Sequence, residues 1–250
     1  MNFALILLVL TIVTGFVYLC DIMYFKNKRG AAAPGFIIEQ SRAFFPVFFT
    51  VLLLRSFLIE PFRIPSGSLE PTLRVGDFVA VNKFAYGLRL PVSEQLILAN
   101  GLPKLGDIAV FRWPPNPKFD YIKRVIGLPG SVVEYHNKVL TIDGVVANQK
   151  FISYTTDESS GQVVAEYEET LGNIRHRIYI RPDVPAHDFK ITVPPHQYFM
   201  LGDNRDDSAD SRFWGFVDFQ YLRGKAFLVW MSFDSKTYSI RWSRIGKMVN

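Results

Sequence analysis

Cysteine is almost missing from this 250-residue chain: Cys20 is the only one, and it lies inside an apolar stretch. One thiol cannot close an internal disulfide, and no cysteine–histidine grouping has the spacing of a zinc site. Histidine is scarce too. His136, His176, His187 and His196 are scattered, and none stands in a setting that marks a catalytic base or a metal ligand. Dense Lys/Arg runs and nucleic-acid motifs are absent, so the net charge of +5 does not indicate a DNA- or RNA-binding protein. A basic balance suits work beside anionic lipid instead. There is no internal repeat or low-complexity tract and, beyond residue 60, no long stretch with a 3.6-residue apolar period.

What is present is unevenly spread. Hydrophobic residues make up 49% of the chain, with the excess in the first sixty positions. Residues 3–20, FALILLVLTIVTGFVYLC, reach the roughly 17–25 residues that a bilayer-crossing helix needs. No positive residue precedes the run and no small-x-small site follows it, so it reads as an anchor rather than a cleaved leader. A second apolar segment covers 43–59, with Pro46 near its start and Arg55 close enough to its far end to snorkel; a buried helix of a soluble domain is the alternative reading. Between them, Lys26, Lys28, Arg29 and Arg42 oppose Glu39 alone, which places this loop in the cytoplasm and both the N-terminus and the chain after Ile59 outside. The expected division is therefore a membrane helix over 1–24, a cytoplasmic loop over 25–42 and a second membrane helix over 43–60. An extramembrane domain of 61–144 plus 193–250 follows, with the more polar 145–192 as an inserted subdomain.

Beyond residue 60 the pattern is that of an antiparallel β protein. Runs at 77–84, 107–113, 120–127, 131–137, 138–144, 176–182, 197–203 and 224–234 favour strands, and Asp143-Gly144 signals a tight hairpin. Residues 89–100 offer a weak short-helix pattern.

Three stretches carry chemistry. RIPSGSLEPTL, 63–73, holds Ser66 and Ser68 around one glycine, and Ser68 comes nine residues after Ile59, hence within about 30 Å of the membrane boundary. A serine hydroxyl attacks only when a base takes its proton. The G-x-S-x-G elbow is not formed, and no histidine is placed to serve. A lysine can serve when burial keeps it neutral. In DYIKRVIGLPG, Lys123 lies within an apolar strand and shares a face with Tyr121 and Val125, whereas Arg124 cannot deprotonate. Spacing alone leaves Lys123 equally readable as an edge-strand lysine turned to water. The third stretch, LGDNRDDSADSRFWGFV, fails as a calcium loop. From Asp206, Ser211 stands where glycine is needed and Val217 where glutamate is needed, and from Asp203, Arg205 occupies a ligand position. Its alternating Asp, Asn, Arg and Ser fit an internally paired polar turn able to brace a lysine.

Together, RIPSGSLEPTLRVGDFVAVNKFAYGLRLP, DYIKRVIGLPG and YFMLGDNRDDSADSRFWGFV resemble the signature boxes of bacterial type I signal peptidases, in that family's order and after two membrane segments. The resemblance implies a mainly β fold, with a β-rich catalytic domain and a smaller β cap behind two transmembrane helices. It implies a serine endopeptidase of the bacterial inner membrane that cuts signal peptides from secretory preproteins after small residues, with its catalytic domain periplasmic. No cofactor, metal or nucleic acid enters the expected chemistry; the partners are preproteins and the lipid bilayer. By motif, Ser68 corresponds to the nucleophile and Lys123 to the general base. Ser66 corresponds to an oxyanion-hole hydroxyl acting with the Ser68 N–H. Ser208 corresponds to a serine that orients the lysine, Asp210 and Arg212 to a structural ion pair, and Asp203 and Tyr121 to supporting residues. Leu69 replaces the family's usual methionine after the nucleophile and Asp207 a frequent asparagine, while the disulfide of some relatives cannot form. The rival expectations are a non-catalytic membrane-anchored binding protein on the same fold, or a specialised serine–lysine peptidase of a pilus or conjugation system.

Overall fold

The computed structural model describes residues 3–30, 32–90 and 95–249. Its contacts divide the chain into two units: residues 1–60 with 87–99, and residues 61–86 with 100–250.

In the first unit, the helix Phe3–Cys20 continues through a wide π-type turn, Asp21–Phe25, into Lys26–Arg29. Its threonines return their hydroxyls to the helix itself, Thr11 to Leu7 O and Thr14 to Leu10 O, each at 2.7 Å. That leaves no polar group to be satisfied by an apolar solvent. The second helix, Phe36–Leu53, contains Pro46 and ends in a π-type turn, Leu54–Leu58. The two pack closely where Gly15 meets Phe45: a Cβ on Gly15 would lie 2.7 Å from that ring. Asp21 is buried between them, paired with Arg29 at 2.9 Å and with Arg42 of the second helix. Both helices are long and apolar enough to cross a membrane. Both helices leave large apolar side chains exposed, Phe16 at 67% and Ile37 at 70%, whereas the core helix of a soluble domain buries them.

Two sequence expectations need correcting here. The second helix begins at Phe36 rather than 43, so the link between helices shrinks from 25–42 to 30–35. Hydropathy marks the segment that crosses lipid, whereas Glu39, Gln40 and Arg42 are good helix formers that extend the helix past it. The expected short helix at 89–100 is instead a hairpin of Leu88–Arg89 with Leu96–Leu98; residues 91–94 lie outside the described residues.

The second unit is built on an eight-stranded sheet among the described residues. Its spatial order is Ile59–Arg63, Asp77–Asn82, Leu222–Asp234, Ile108–Arg112, Asp120–Gly127, Gln197–Leu201 and Val217–Asp218, with Ser239–Ile240 paired to Leu222–Asp234. Strand side chains alternate between faces, and both faces are covered here. Ile108, Val110 and Ile122 join one core with Ile64, Leu69 and Leu73, while Ala109, Phe111 and Val125 join another with Tyr198 and Met200. Double burial explains why these strands read as nearly continuous apolar runs. A third core, around Val133, Tyr135, Leu140 and Phe199, lies under a four-stranded sheet of Phe189–Thr192, Val132–His136, Val139–Ile142 and Val145–Val146. The Asp143-Gly144 hairpin is present, both residues at positive φ (51° and 81°), as a two-residue turn of this kind requires. The expected cap boundary at 144/145 therefore cuts through a hairpin. What stands apart as a sheet of its own is Gln149–Thr156, Val163–Leu171 and Ile174–Ile180.

Candidate active site

The serine loop is pinned from below. Ile64, Leu69 and Leu73 are buried in the first core, at 0–1% exposure, so the polar residues between them are forced to a defined place at the surface of that core. Ser66 is extended, and Gly67–Leu69 form one turn of 3-10 helix that lifts Ser68 towards the strand Asp120–Gly127. On that strand Lys123 is only 4% exposed, which excludes the reading of a lysine turned to water. Its Nζ is hydrogen-bonded to Ser68 Oγ, and Ser66 Oγ lies 3.4 Å from Ser68 Oγ. Sequence separation between the pair is 55 residues, closed only by the fold.

Burial lowers the Lys123 pKa to about 8; the carboxylates of Asp210 and Asp203 pull it up, and the Arg212 guanidinium pushes it down again. Tyr121 lies two residues earlier on the same face, its ring centroid 5.8 Å from Nζ, and is itself stacked on Trp113 at 5.1 Å. The Tyr121 ring thus covers part of the amine's surroundings.

The acidic stretch supports the pair from the neighbouring strand. Gln197–Leu201 pairs with Asp120–Gly127 in a register that sets Leu201 opposite Arg124. Asp203 then takes both Arg124 Nε and Nη2 at 2.8 Å and a hydrogen bond from Thr72 Oγ1 at 2.5 Å, tying the lysine strand to the serine loop. Asp210 pairs with Arg212, Nε to Oδ1 and Nη2 to Oδ2 both at 2.8 Å, and also accepts the Gly202 N–H at 3.0 Å. Ser208 departs from expectation. Its Oγ is buried with no hydrogen-bond partner and does not bond Lys123, whose amine is turned to Ser68 instead.

Some residues of the site were not anticipated. Arg124 entered the sequence reading only as a rival to Lys123; its burial at 0% makes it the strand's structural cation. A charge in an otherwise apolar strand was the available signal. Asn204 N donates to Ser68 O at 3.2 Å, and Arg205 forms a fully buried pair with Glu169 of the separate three-stranded sheet. Glu169 had no signal, because the chain brings it to the site across a gap that only the fold closes.

A cavity of about 380 Å³ opens on the pair, lined by Phe62, Pro65, Ser66, Tyr121 and Ile122 together with Ser68 and Lys123. A larger hollow of about 650 Å³ lies against Ser66 and Gly67 but reaches neither Ser68 nor Lys123. Among the described residues no group of three or more His, Cys, Asp or Glu is arranged to hold a metal ion. The arrangement is suited to acyl transfer: a hydroxyl beside an amine of lowered basicity, a second hydroxyl beside the first, and a recess with apolar walls opening on both.

Comparison with known proteins supplies an independent line. The signal peptidase family, peptidase S26, matches residues 37–231. The chain is 41% identical to signal peptidase I of Pseudomonas aeruginosa, covering 98% of each chain, and 40% identical to that of Pseudomonas fluorescens over the same shares. A crystallised signal peptidase I from Enterococcus faecalis is 31% identical, with 51% of this chain and 98% of that one covered and a TM-score of 0.35.

Proposed function

This chain belongs to the peptidase S26 family of signal peptidases: it is a membrane-anchored serine peptidase that removes signal peptides from exported preproteins, and we propose that Ser68 and Lys123 perform the cleavage. The observation that carries the assignment is the buried contact between Lys123 Nζ and Ser68 Oγ. Neutral Lys123 accepts the Ser68 hydroxyl proton as Oγ attacks the scissile carbonyl carbon. The oxyanion that forms is held by the Ser66 hydroxyl and the Ser68 N–H. Lys123 then passes its proton to the departing amine of the mature protein, leaving the signal peptide esterified to Ser68. A water, deprotonated by the same amine, hydrolyses that ester. Ser208 matches by motif the serine that orients the lysine, and its buried hydroxyl, unbonded in this structure, is open to that role.

Substrate selection follows from the cavity. Phe62, Tyr121 and Ile122 give it an apolar wall, opposite the more polar Asp120 and Asp207, and that wall suits the small residues of an A-x-A-like site. The location follows from the anchors. With the basic residues around 26–42 inside, the N-terminus and the catalytic unit face the periplasm of the inner membrane, and Ser68 stays close to lipid, where the cleavage point of a membrane-inserted signal peptide emerges.

The test is cleavage of a preprotein by the purified chain. Ser68→Ala and Lys123→Ala abolish processing, and Ser66→Ala, which removes one oxyanion donor, lowers kcat by about 10²–10³-fold. Processing at the normal rate by Lys123→Ala would refute the assignment, and a chain that binds preproteins without cutting them would be the non-catalytic protein instead.

A further inference from the structure

The strands Gln149–Thr156 and Val163–Leu171 are joined by a turn that rests on the serine loop. The seating is tight: a Cβ on Gly67 would lie 2.0 Å from Ser159 Oγ. At the base of this turn Asp157 is 1% exposed and gathers five donors. They are Ser159 N at 2.8 Å and Oγ at 2.7 Å, Ser160 N at 3.4 Å and Oγ at 2.8 Å, and Asn204 Nδ2 at 2.8 Å. The same Asn204 Nδ2 reaches Gly67 O at 3.3 Å, and Asn204 N donates to Ser68 O at 3.2 Å. One asparagine thus holds both peptide oxygens around the proposed nucleophile, and Asp157 holds the asparagine.

Glu70 approaches Asp157 from the serine loop itself. It is 2% exposed, and a Cβ on Gly67 would lie 3.5 Å from its Cδ as well as 2.0 Å from Ser159 Oγ, which sets its carboxyl against the same turn, where Asp157 is its hydrogen-bonding neighbour. Two carboxyl groups can share a hydrogen bond only with a proton between them. Asp157, facing five donors, is the ionised partner, so Glu70 carries the proton. Burial, the hydrogen bond to Asp157 and the nearby Glu158 together raise the Glu70 pKa to about 8. The other charged or titratable groups around this pair are Arg74 and Arg241, which bridge Glu158 at 2.7 and 3.9 Å, and Tyr179 from the strand Ile174–Ile180.

We propose that protonated Glu70, Asp157 and Asn204 form a positioning clamp that fixes the nucleophile loop against the Gln149–Leu171 strand pair, and that turnover falls when the Glu70 proton is lost. Ionised Glu70 stands beside ionised Asp157, and their repulsion drives the turn and Asn204 away from Gly67 and Ser68. The loop then holds Ser68 Oγ less firmly on Lys123. None of the three residues touches the scissile bond, so the effect is on kcat and not on KM. The inference rests on Ser68 being the nucleophile and adds residues of the inserted sheet to its placement.

The experiment measures kcat and KM for preprotein cleavage across pH with the full chain in detergent, comparing the unaltered protein with Glu70→Gln and Glu70→Ala. Glutamine keeps an N–H donor for Asp157 and cannot ionise. In the unaltered protein kcat climbs and then falls on the alkaline side; Glu70→Gln keeps the climb and moves the fall to higher pH, with KM unchanged. Glu70→Ala loses the donor and drops kcat by about 10²-fold at every pH, the scale of a displaced reacting group. An alkaline fall in Glu70→Gln that superimposes on that of the unaltered protein overturns the clamp, even if Glu70→Ala fails to fold. A residue of purely structural importance changes melting temperature but leaves the shape of the pH profile alone. Failure of the serine–lysine reading is seen separately, as activity surviving in Lys123→Ala.

Discussion

At the scale of single residues, one lysine and one aspartate show what burial does to charge. Lys123 serves as a base only when neutral, and its pKa near 8 means the neutral fraction grows as pH rises towards that value. We expect kcat/KM to climb about tenfold per pH unit on the acid side and to stop climbing near 8, where loss of the Glu70 proton turns it down, as measured by initial rates on a preprotein. A profile flat through that range would refute a lysine base. The same burial has a stability sign. Folding lowers this lysine's pKa below its ordinary 10.5, so at neutral pH the folded state bears a desolvated ammonium that the unfolded chain keeps in water, and stability rises as pH passes from about 8 to 10.5. Lys123→Met should therefore melt at a higher temperature than the unaltered chain at neutral pH while cutting nothing. Asp203 is the opposite case. It is held below the usual carboxylate range: burial opposes its charge, but Arg124 overcomes this. Asp203→Ala removes the carboxylate from a guanidinium at 0% exposure and should cost about 3–5 kcal/mol in denaturant unfolding.

At the scale of elements, the site is a loop laid across the ends of two neighbouring strands, and one glycine sets how close they come. A Cβ on Gly202 would lie 2.2 Å from Ser208 Oγ and 2.4 Å from Ser68 O. Gly202→Ala must push the serine loop away from the strand that carries Lys123's neighbours, and we expect it to lower kcat by about 10²-fold with a small change in KM. The strands themselves were legible because both of their faces are apolar, and 120–127 in particular was placed to the residue. Gln149–Thr156 and Val163–Leu171 were not. The first is largely exposed, and the second, though more than half buried, buries Glu166 and Glu169 beside its apolar residues, so neither shows the apolar run that marked the others. The hairpin at 88–98 was misread for a related reason: strands of two and three residues carry too few alternations to distinguish period two from 3.6.

At the scale of the whole molecule, two helices with open apolar faces anchor a unit whose own cores are complete without them. The proposed orientation has a direct check. With Cys20 changed to Ser, a single cysteine placed at Gly35, in the link between the helices, should react with a membrane-impermeant maleimide only after the membrane is opened, whereas one placed at Ser235 should react in intact spheroplasts. Labelling of both from the same side would overturn the orientation. The anchors, the sheet-rich class and the candidacy of Ser68 and Lys123 were legible in the sequence itself. Unbroken apolar runs, double-faced strands and the three family boxes are local signals that survive without a fold. Tertiary structure alone decided how the pair is kept: the burial that lowers the lysine's pKa, the Arg124–Asp203 tie between strand and loop, and the reach of Glu169 and Asp157 from a polar sheet. Those depend on contacts between residues tens of positions apart, and desolvation is a property of the packed surroundings that no single stretch of chain contains.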